Sequence, residues 1–246
     1  MEPTVLNHES VLSCLPDRKP DSHKGDYGKI LLLCGSMGYT GAAALAAMGA
    51  LRMGAGLVYL GVTQSIYAIE AVKLTEAVVF PLPDRDGMLD ASALDKLLPM
   101  LENMDAVLMG PGLGISPGTE AVVTTVLRQY DGPVVLDADG INLMTAHKDI
   151  LRGRTAPTIL TPHAGEFKRL DSNLYPHAKD AAERFAEQYG VIVVYKGKLS
   201  ECPTVFVGTQ NRPLSRGGFT ILSGMEYVIS DMMPVRPYQG VRCSCC

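Results

Sequence analysis

The sequence predicts an α/β protein built on an open, mostly parallel sheet with helices on both sides. Three observations point there. Short aliphatic runs alternate with helix-like segments along most of the chain, the order expected of strand–helix–strand units. The runs are apolar at nearly every position, which suits strands covered on both faces. No internal repeat or low-complexity linker interrupts them, so the 246 residues, 47% of them apolar, read as one large domain.

The elements follow in order. KILLLCG at 29–35 is a buried strand by length and composition. A helix is predicted over 41–53, where GAAALAAMGALRM is small and apolar nearly all round. Such a helix is buried and can approach a sheet closely. LVYLGV at 57–62 is the second strand, followed by a helix near 64–72, and EAVVF at 76–80 is the third. A helix at 91–103 leads to the strand DAVLMG at 105–110, and a helix at 118–129 leads to PVVLDAD at 133–139. TILTP at 158–162, a helix at 176–189 and VIVVYKG at 191–197 complete the alternation. In the tail, Ser223 and Glu226 have capping-box spacing. Met225, Val228, Ile229 and Met232 form a helical stripe that Pro234 ends, which predicts a short helix over 224–233.

Composition excludes several classes of partner. The net charge is −4, and Lys and Arg are scattered without a basic stripe, which argues against nucleic acid. No apolar run has the length of a membrane span, so no membrane partner is expected. The N-terminus is polar and acidic, unlike a secretory signal. Six cysteines occupy positions 14, 34, 202, 243, 245 and 246. Their crowding at the end is no disulfide framework, and the terminal cluster reads as an incidental tail rather than a soft-metal site. Reduced thiols and a cytoplasmic location are expected.

In open parallel sheets, ligands bind beyond the carboxyl ends of the strands. The segments at those ends are GSMGYTG (35–41), GPGLG (110–114), DADGIN (137–142), TPHAGE (161–166) and KG (196–197). Five such segments on one edge predict a continuous cleft. GSMGYTG lacks the spacing of the dinucleotide fingerprint and of the P-loop, which disfavours a doubly wound nicotinamide oxidoreductase. Its bare glycines still allow backbone N–H groups to approach an anion at a helix start. Asp137 and Asp139, with Asn142 nearby, either position a hydrated Mg²⁺ or a ribose hydroxyl, or form an Asx turn capping a helix at 140. His163 and Glu166 are either a helix start with a dipole-favoured carboxylate, or a ligand-binding histidine and a carboxylate acting through metal-bound water. Their position at a strand end favours the second. Lys196 either neutralises a phosphate or ends a strand in solvent. His8, His147 and His177 suit surface or loop positions, whereas His23 stands out because HKGDYG runs straight into the first strand.

The motifs HKGDYGKILLLCGS, YTGAAALAAMGALRMGAGLVYL, MGPGLG, PVVLDADGINL, LTPHAGEF and VVYKG occur in this order. Together, over residues 15–200 or so, they resemble the ATP/ADP-dependent NAD(P)H-hydrate dehydratases of the ribokinase-like superfamily. The resemblance implies a three-layer α/β/α sandwich. It implies repair of NAD(P)H hydrate, in which water has added across the 5,6 double bond of the nicotinamide ring. The ring hydroxyl is phosphorylated from ATP or ADP, the ring nitrogen lone pair expels phosphate, and loss of a proton restores the dihydronicotinamide. Mg²⁺ shares the phosphoryl charge, and the protein supplies positioning and electrostatics. Carried over by residue, Ala42, Gly112, Gly114 and His163 are implied to bind the hydrate, and Lys196 and Gly197 the adenine nucleotide. Asp139, Asn142 and Glu166 remain the metal-associated positions.

Past KG the spacing departs from the family's K-G-x-x-T, TVFVG at 204–208 is the strand the resemblance implies, and after it the match is lost. The family continues with N-x-G-M-A-x-G-G-x-G-D-[VL]-L, whose glycines form an anion hole and whose Asp acts on the attacking hydroxyl; here Gly217 and Gly218 are not followed by G-x-G-D. Asp231 falls near the end of the predicted tail helix, where it suits that role poorly. The expectation is therefore an incomplete dehydratase domain over 1–208 and a divergent tail over 209–246, with the family's C-terminal part truncated or replaced. An apolar patch is expected on one sheet face unless the tail or a partner covers it. A working dehydratase, an inactive or binding-only relative, and a ribokinase-like kinase acting on a vitamin alcohol all remain open, as does a homo-oligomer.

Overall fold

In the first strand, β1 (Lys29–Leu33), one short run feeds two cores. Side chains alternate across a strand, and Leu31 and Leu33 join one buried cluster while Ile30 and Leu32, with Cys34 beyond them, join another. The computed structural model describes residues 19–172, 178–196 and 205–208. The same division recurs along β2 (Leu57–Thr63), β6 (Ala106–Met109), β7 (Val134–Leu136), β8 (Thr158–Leu160) and β9 (Ile192–Tyr195). Val107, Leu136, Leu160 and Val193 face one side, and Leu108, Val135, Ile159 and Val194 the other. Period-two alternation within uniformly apolar strands is what a sheet buried on both faces requires.

With β3 (Val78–Leu82) and β10 (Val205–Gly208), the sheet has eight strands in the order β10-β9-β8-β7-β6-β1-β2-β3. All neighbours run parallel except β10, which pairs antiparallel with β9. Helices α1 (Thr40–Arg52) and α2 (Gln64–Lys73) lie on one face. The other face takes α3 (Leu94–Leu101), α4 (Pro117–Gln129), α5 (Asp139–Met144), α6 (Asp149–Gly153), α7 (Ala164–Leu170) and α8 (Ala178–Tyr189). This is the expected three-layer α/β/α sandwich.

Local chemistry explains the element ends. Helix α4 begins where Ser116 Oγ accepts from Thr119 N at 3.0 Å, with Pro117 in its first turn. Helix α1 fits against β1 and β2 because its sheet-facing residues Ala43, Ala46 and Ala47 are buried and small. On the opposite face Phe167 packs edge-on against Phe185 and Tyr195, with ring centroids 5.7 and 5.4 Å away.

Several boundaries differ from the sequence expectation, and three of them have a local cause. The third strand lies at 78–82 rather than 76–80, and it includes Pro81. It is the last strand of the sheet among the described residues, and a missing N–H is tolerated at a sheet edge. The helix expected at 91–103 is a 3₁₀ turn, Ala91–Ala93, capped by Asp90, and then α3, which ends two residues after Pro99. The strand expected to reach 139 stops at Leu136, because the chain turns sharply at Ala138. On the sheet face that carries α1 and α2, Val135, Ile159 and Val194 are buried. The tail helix expected at 224–233, and the division at 208–209, lie outside the described residues.

Candidate functional site

The strand order reverses at β1. The chain lays β2 and β3 on one side of it and β6 to β9 on the other. Loops leaving adjacent β1 and β6 therefore part in opposite directions and open a crevice at the carboxyl edge, the switch point where open α/β sheets bind ligands.

Backbone contacts join the two loops. Gly35 N donates to Pro111 O at 2.8 Å, and Gly110 N donates to Leu33 O at 3.2 Å. Gly110 has φ 128°, and a Cβ there would stand 1.8 Å from Asp137 O, so only glycine fits. At Gly112, with φ 64°, a Cβ would meet the Cβ atoms of Tyr39 and Ala42 at 2.8 and 2.9 Å. Ala42 and Gly112, two residues implied to bind the hydrate, thus pack directly against each other. Gly114 N donates to Asp139 Oδ2 at 2.9 Å, which braces the β6 loop against the start of α5.

A second cluster forms where β7, β8 and β9 end. Lys196 Nζ lies 2.8 Å from Asp137 Oδ1 and 4.0 Å from Glu166 Oε2. Lys196 N donates to Pro162 O at 2.8 Å, so the β9 end stays paired with the strand leading to His163. The lysine therefore ends its strand inside a charged cluster rather than in solvent. His163 caps α7, its Nδ1 accepting from Gly165 N at 2.9 Å and Glu166 N at 3.2 Å. Glu166 returns the favour by accepting from His163 N at 2.9 Å, completing a capping box. With Nδ1 accepting, the imidazole proton sits on Nε2, which lies 3.3 Å from Glu166 Oε1. The helix-start reading of these two residues is thus realised in the geometry, and half of the imidazole remains exposed on the edge.

Asp137 and Asp139 diverge. Ala138 between them has φ 48° and ψ −117°, a conformation that strains any residue with a Cβ. That turn sends the Asp137 carboxylate inward to Lys196 and leaves α5 without a side-chain cap, so Asp137 forms no Asx turn there. Asp139 accepts from Gly114 N and, at 3.4 Å, from Asn142 Nδ2; Asn142 Oδ1 in turn accepts from Arg169 Nε at 2.9 Å. Asp139 and Asn142 therefore brace loops, while Glu166 and Asp137 flank the lysine. Among the described residues no three His, Cys, Asp or Glu side chains could hold a metal by themselves. Cys34, buried at the end of β1, has its thiol pushed well above the ordinary range by burial and, secondarily, by the Asp137 carboxylate.

Two features escaped sequence reasoning. One is the strained Ala138, which carries no compositional mark. The other is the hairpin of β4 (Asp84–Arg85) and β5 (Met88–Leu89), which reaches the site because Met37 N donates to Gly87 O at 3.0 Å. Its signal was present: Asp86 and Gly87 both have positive φ, as an Asp-Gly hairpin turn demands. His23, by contrast, caps the 3₁₀ turn Lys24–Tyr27 at the opposite, amino edge of β1. His147 is paired to Glu120 at 2.5 Å. A cavity of about 220 Å³ near Arg154 also lies on the amino side, before β7 and β8, and belongs to no part of this site. Gly197 lies outside the described residues.

Residues 30–207 match the family model described as NAD(P)H-hydrate dehydratase. A bifunctional NAD(P)H-hydrate repair enzyme from Salinibacter ruber is 40% identical over 208 residues, which are 82% of this chain and 38% of that protein. An ADP-dependent (S)-NAD(P)H-hydrate dehydratase from Bacillus subtilis is 36% identical over 193 residues, 77% of this chain and 65% of that one. The crystal structure of the Bacillus subtilis ADP/ATP-dependent dehydratase, co-crystallised with ATP/Mg²⁺, aligns with a TM-score of 0.63 at 31% identity, covering 91% of this chain and 79% of that one. A ribokinase-like superfamily protein from Enterococcus faecalis aligns at 0.70 with 21% identity, covering 91% and 78% of the two chains, a likeness of fold. The chain spans less than half the length of the bifunctional relative.

Proposed function

Because the chain belongs to the NAD(P)H-hydrate dehydratase family, we propose that it binds NAD(P)H hydrate in the β1/β6 crevice and returns it to NAD(P)H at the expense of ATP or ADP. One observation supports this above the others: Ala42 and Gly112 meet at the switch point, and the β8 and β9 ends that carry His163 and Lys196 lie farther along the same edge. Gly112, lacking a side chain, lets Tyr39 and Ala42 close against its backbone at the binding edge, with Gly114 beside it. His163 offers its exposed imidazole face to the bound dinucleotide. Lys196 supplies positive charge for the nucleotide phosphates, with Gly197 following it. Asp137 and Glu166 are buried on either side of that lysine, so a hydrated Mg²⁺ at this edge would draw its ligands largely from water and phosphate. When bound, that ion would neutralise charge on the transferring phosphoryl group. Asp139 and Asn142 keep the loop of Gly114 in place while this happens. A cytoplasmic setting goes with this reading.

The residues after 197 favour a second reading. They lack the glycine-rich segment with its Asp, and losing a base and an anion hole costs about 10²–10³-fold in rate for each. A chain that holds the hydrate without turning it over is the alternative. The assay is absorbance at 340 nm after ATP or ADP and Mg²⁺ are added to protein and NADH hydrate. A nucleotide-dependent rise supports the dehydratase. A flat trace with saturable hydrate binding supports the binding-only reading. Thermal stabilisation by vitamin alcohols but not by hydrate would sink both and leave a small-molecule kinase.

A further inference from the structure

Tyr39 sits at the N-cap of α1, a position that favours Ser, Thr, Asn or Asp, and among the described residues it makes no side-chain cap hydrogen bond. Core packing does not explain it either, because the residue is 61% exposed. Its root is nevertheless fixed. Tyr39 N donates to Ser36 O at 2.9 Å, Tyr39 O accepts from Ala42 N at 3.2 Å, and its Cβ lies against the bare backbone of Gly112. The side chain is held at its base and open at its rim. It stands where Ala42 and Gly112 converge, the two residues to which the proposed function gives the hydrate. Met37 and Ile115, exposed at 61% and 60%, belong to the segments that follow β1 and β6. These segments thus carry three exposed large apolar side chains at the switch-point edge, and exposed apolar side chains gathered at one edge mark binding surfaces.

We propose that Tyr39 is a substrate-binding residue whose ring lies against the hydrated nicotinamide ring. The inference rests on the proposed function and deepens it. The hydrated ring keeps a flat conjugated segment between its nitrogen and the carboxamide, and a tyrosine face offers that segment contact without demanding hydrogen bonds. Phenylalanine would serve as well, whereas alanine or leucine would not.

The test is equilibrium dialysis of the full chain against NADH hydrate without nucleotide, and separately against ADP with Mg²⁺. Tyr39→Phe should hold the hydrate within about twofold of the unaltered chain, and Tyr39→Ala should weaken it about tenfold, the size of stacking contacts on aromatic side chains. Tyr39→Leu, which keeps apolar bulk without a ring, should resemble Tyr39→Ala. ADP should bind alike throughout. Undiminished hydrate binding by Tyr39→Ala overturns the inference. So does equal weakening of hydrate and ADP, or a change confined to the sedimentation coefficient, which would make Tyr39 a self-association contact. If the unaltered chain binds ADP but no hydrate, the proposed function itself fails and the inference falls with it.

Discussion

Lys196 and Asp137 form the least forgiving contact of the site. The carboxylate is buried and the ammonium is mostly so, 2.8 Å away. Such a pair contributes little net stability, because both charges leave water, but removing one partner strands the other. Lys196→Met should therefore cost about 3 kcal/mol in urea unfolding at neutral pH. Asp137→Asn should cost less, since a lysine stem can carry its charge outward. The double variant should recover more than half of the Lys196→Met loss, and a Lys196→Met loss under about 1 kcal/mol would contradict the pairing. The lysine and both carboxylates were legible as residues at strand ends. Their partnership was not, because it depends on Ala138 adopting φ 48°, and nothing in an alanine announces strain. His163 shows the converse limit. Its spacing to Glu166 advertised a helix start and a ligand site at once, and the capping box satisfies the first without using up the exposed side of the imidazole.

Helix α1 sets the geometry of the crevice, and its alanines are the reason. Ala43, Ala46 and Ala47 are buried to 1% exposure or less, so the helix backbone lies close to β1 and β2 and brings Ala42 to Gly112. Enlarging a residue in that layer forces the helix outward. Ala47→Leu should destabilise the protein by about 1–3 kcal/mol in thermal unfolding, and it should weaken hydrate binding although residue 47 lies more than a helical turn from Ala42. Stability and affinity both unchanged would show that the close approach is not what shapes the site. At this scale the sequence was a good guide where apolar runs were long. KILLLCG, GAAALAAMGALRM and DAVLMG gave their elements to within two residues. It was a poorer guide where a turn competed with a run. PVVLDAD reads as one strand by composition, but Asp137 is drawn to Lys196 and the strand ends a residue earlier. The β4–β5 hairpin has strands of two residues each, too short for any periodicity to register.

Across the whole molecule, seven parallel strands point their carboxyl ends to one edge, and the order reversal at β1 opens that edge between the GSMGYTG and GPGLG loops. The strand alternation foretold the edge. The sequence could not tell that Ala42 and Gly112 would touch, because strand order is a property of pairing across 76 residues of chain rather than of either loop alone. The amino edge, with His23 and the cavity beside Arg154, plays no part in this account. The most direct measurement is the response of backbone amide NMR shifts to NADH hydrate added to the full chain. The account predicts concerted, saturable changes in the segments 35–42 and 110–114 and at His163, following one binding curve. Changes confined to a single loop, or gathered on the amino edge, would contradict it.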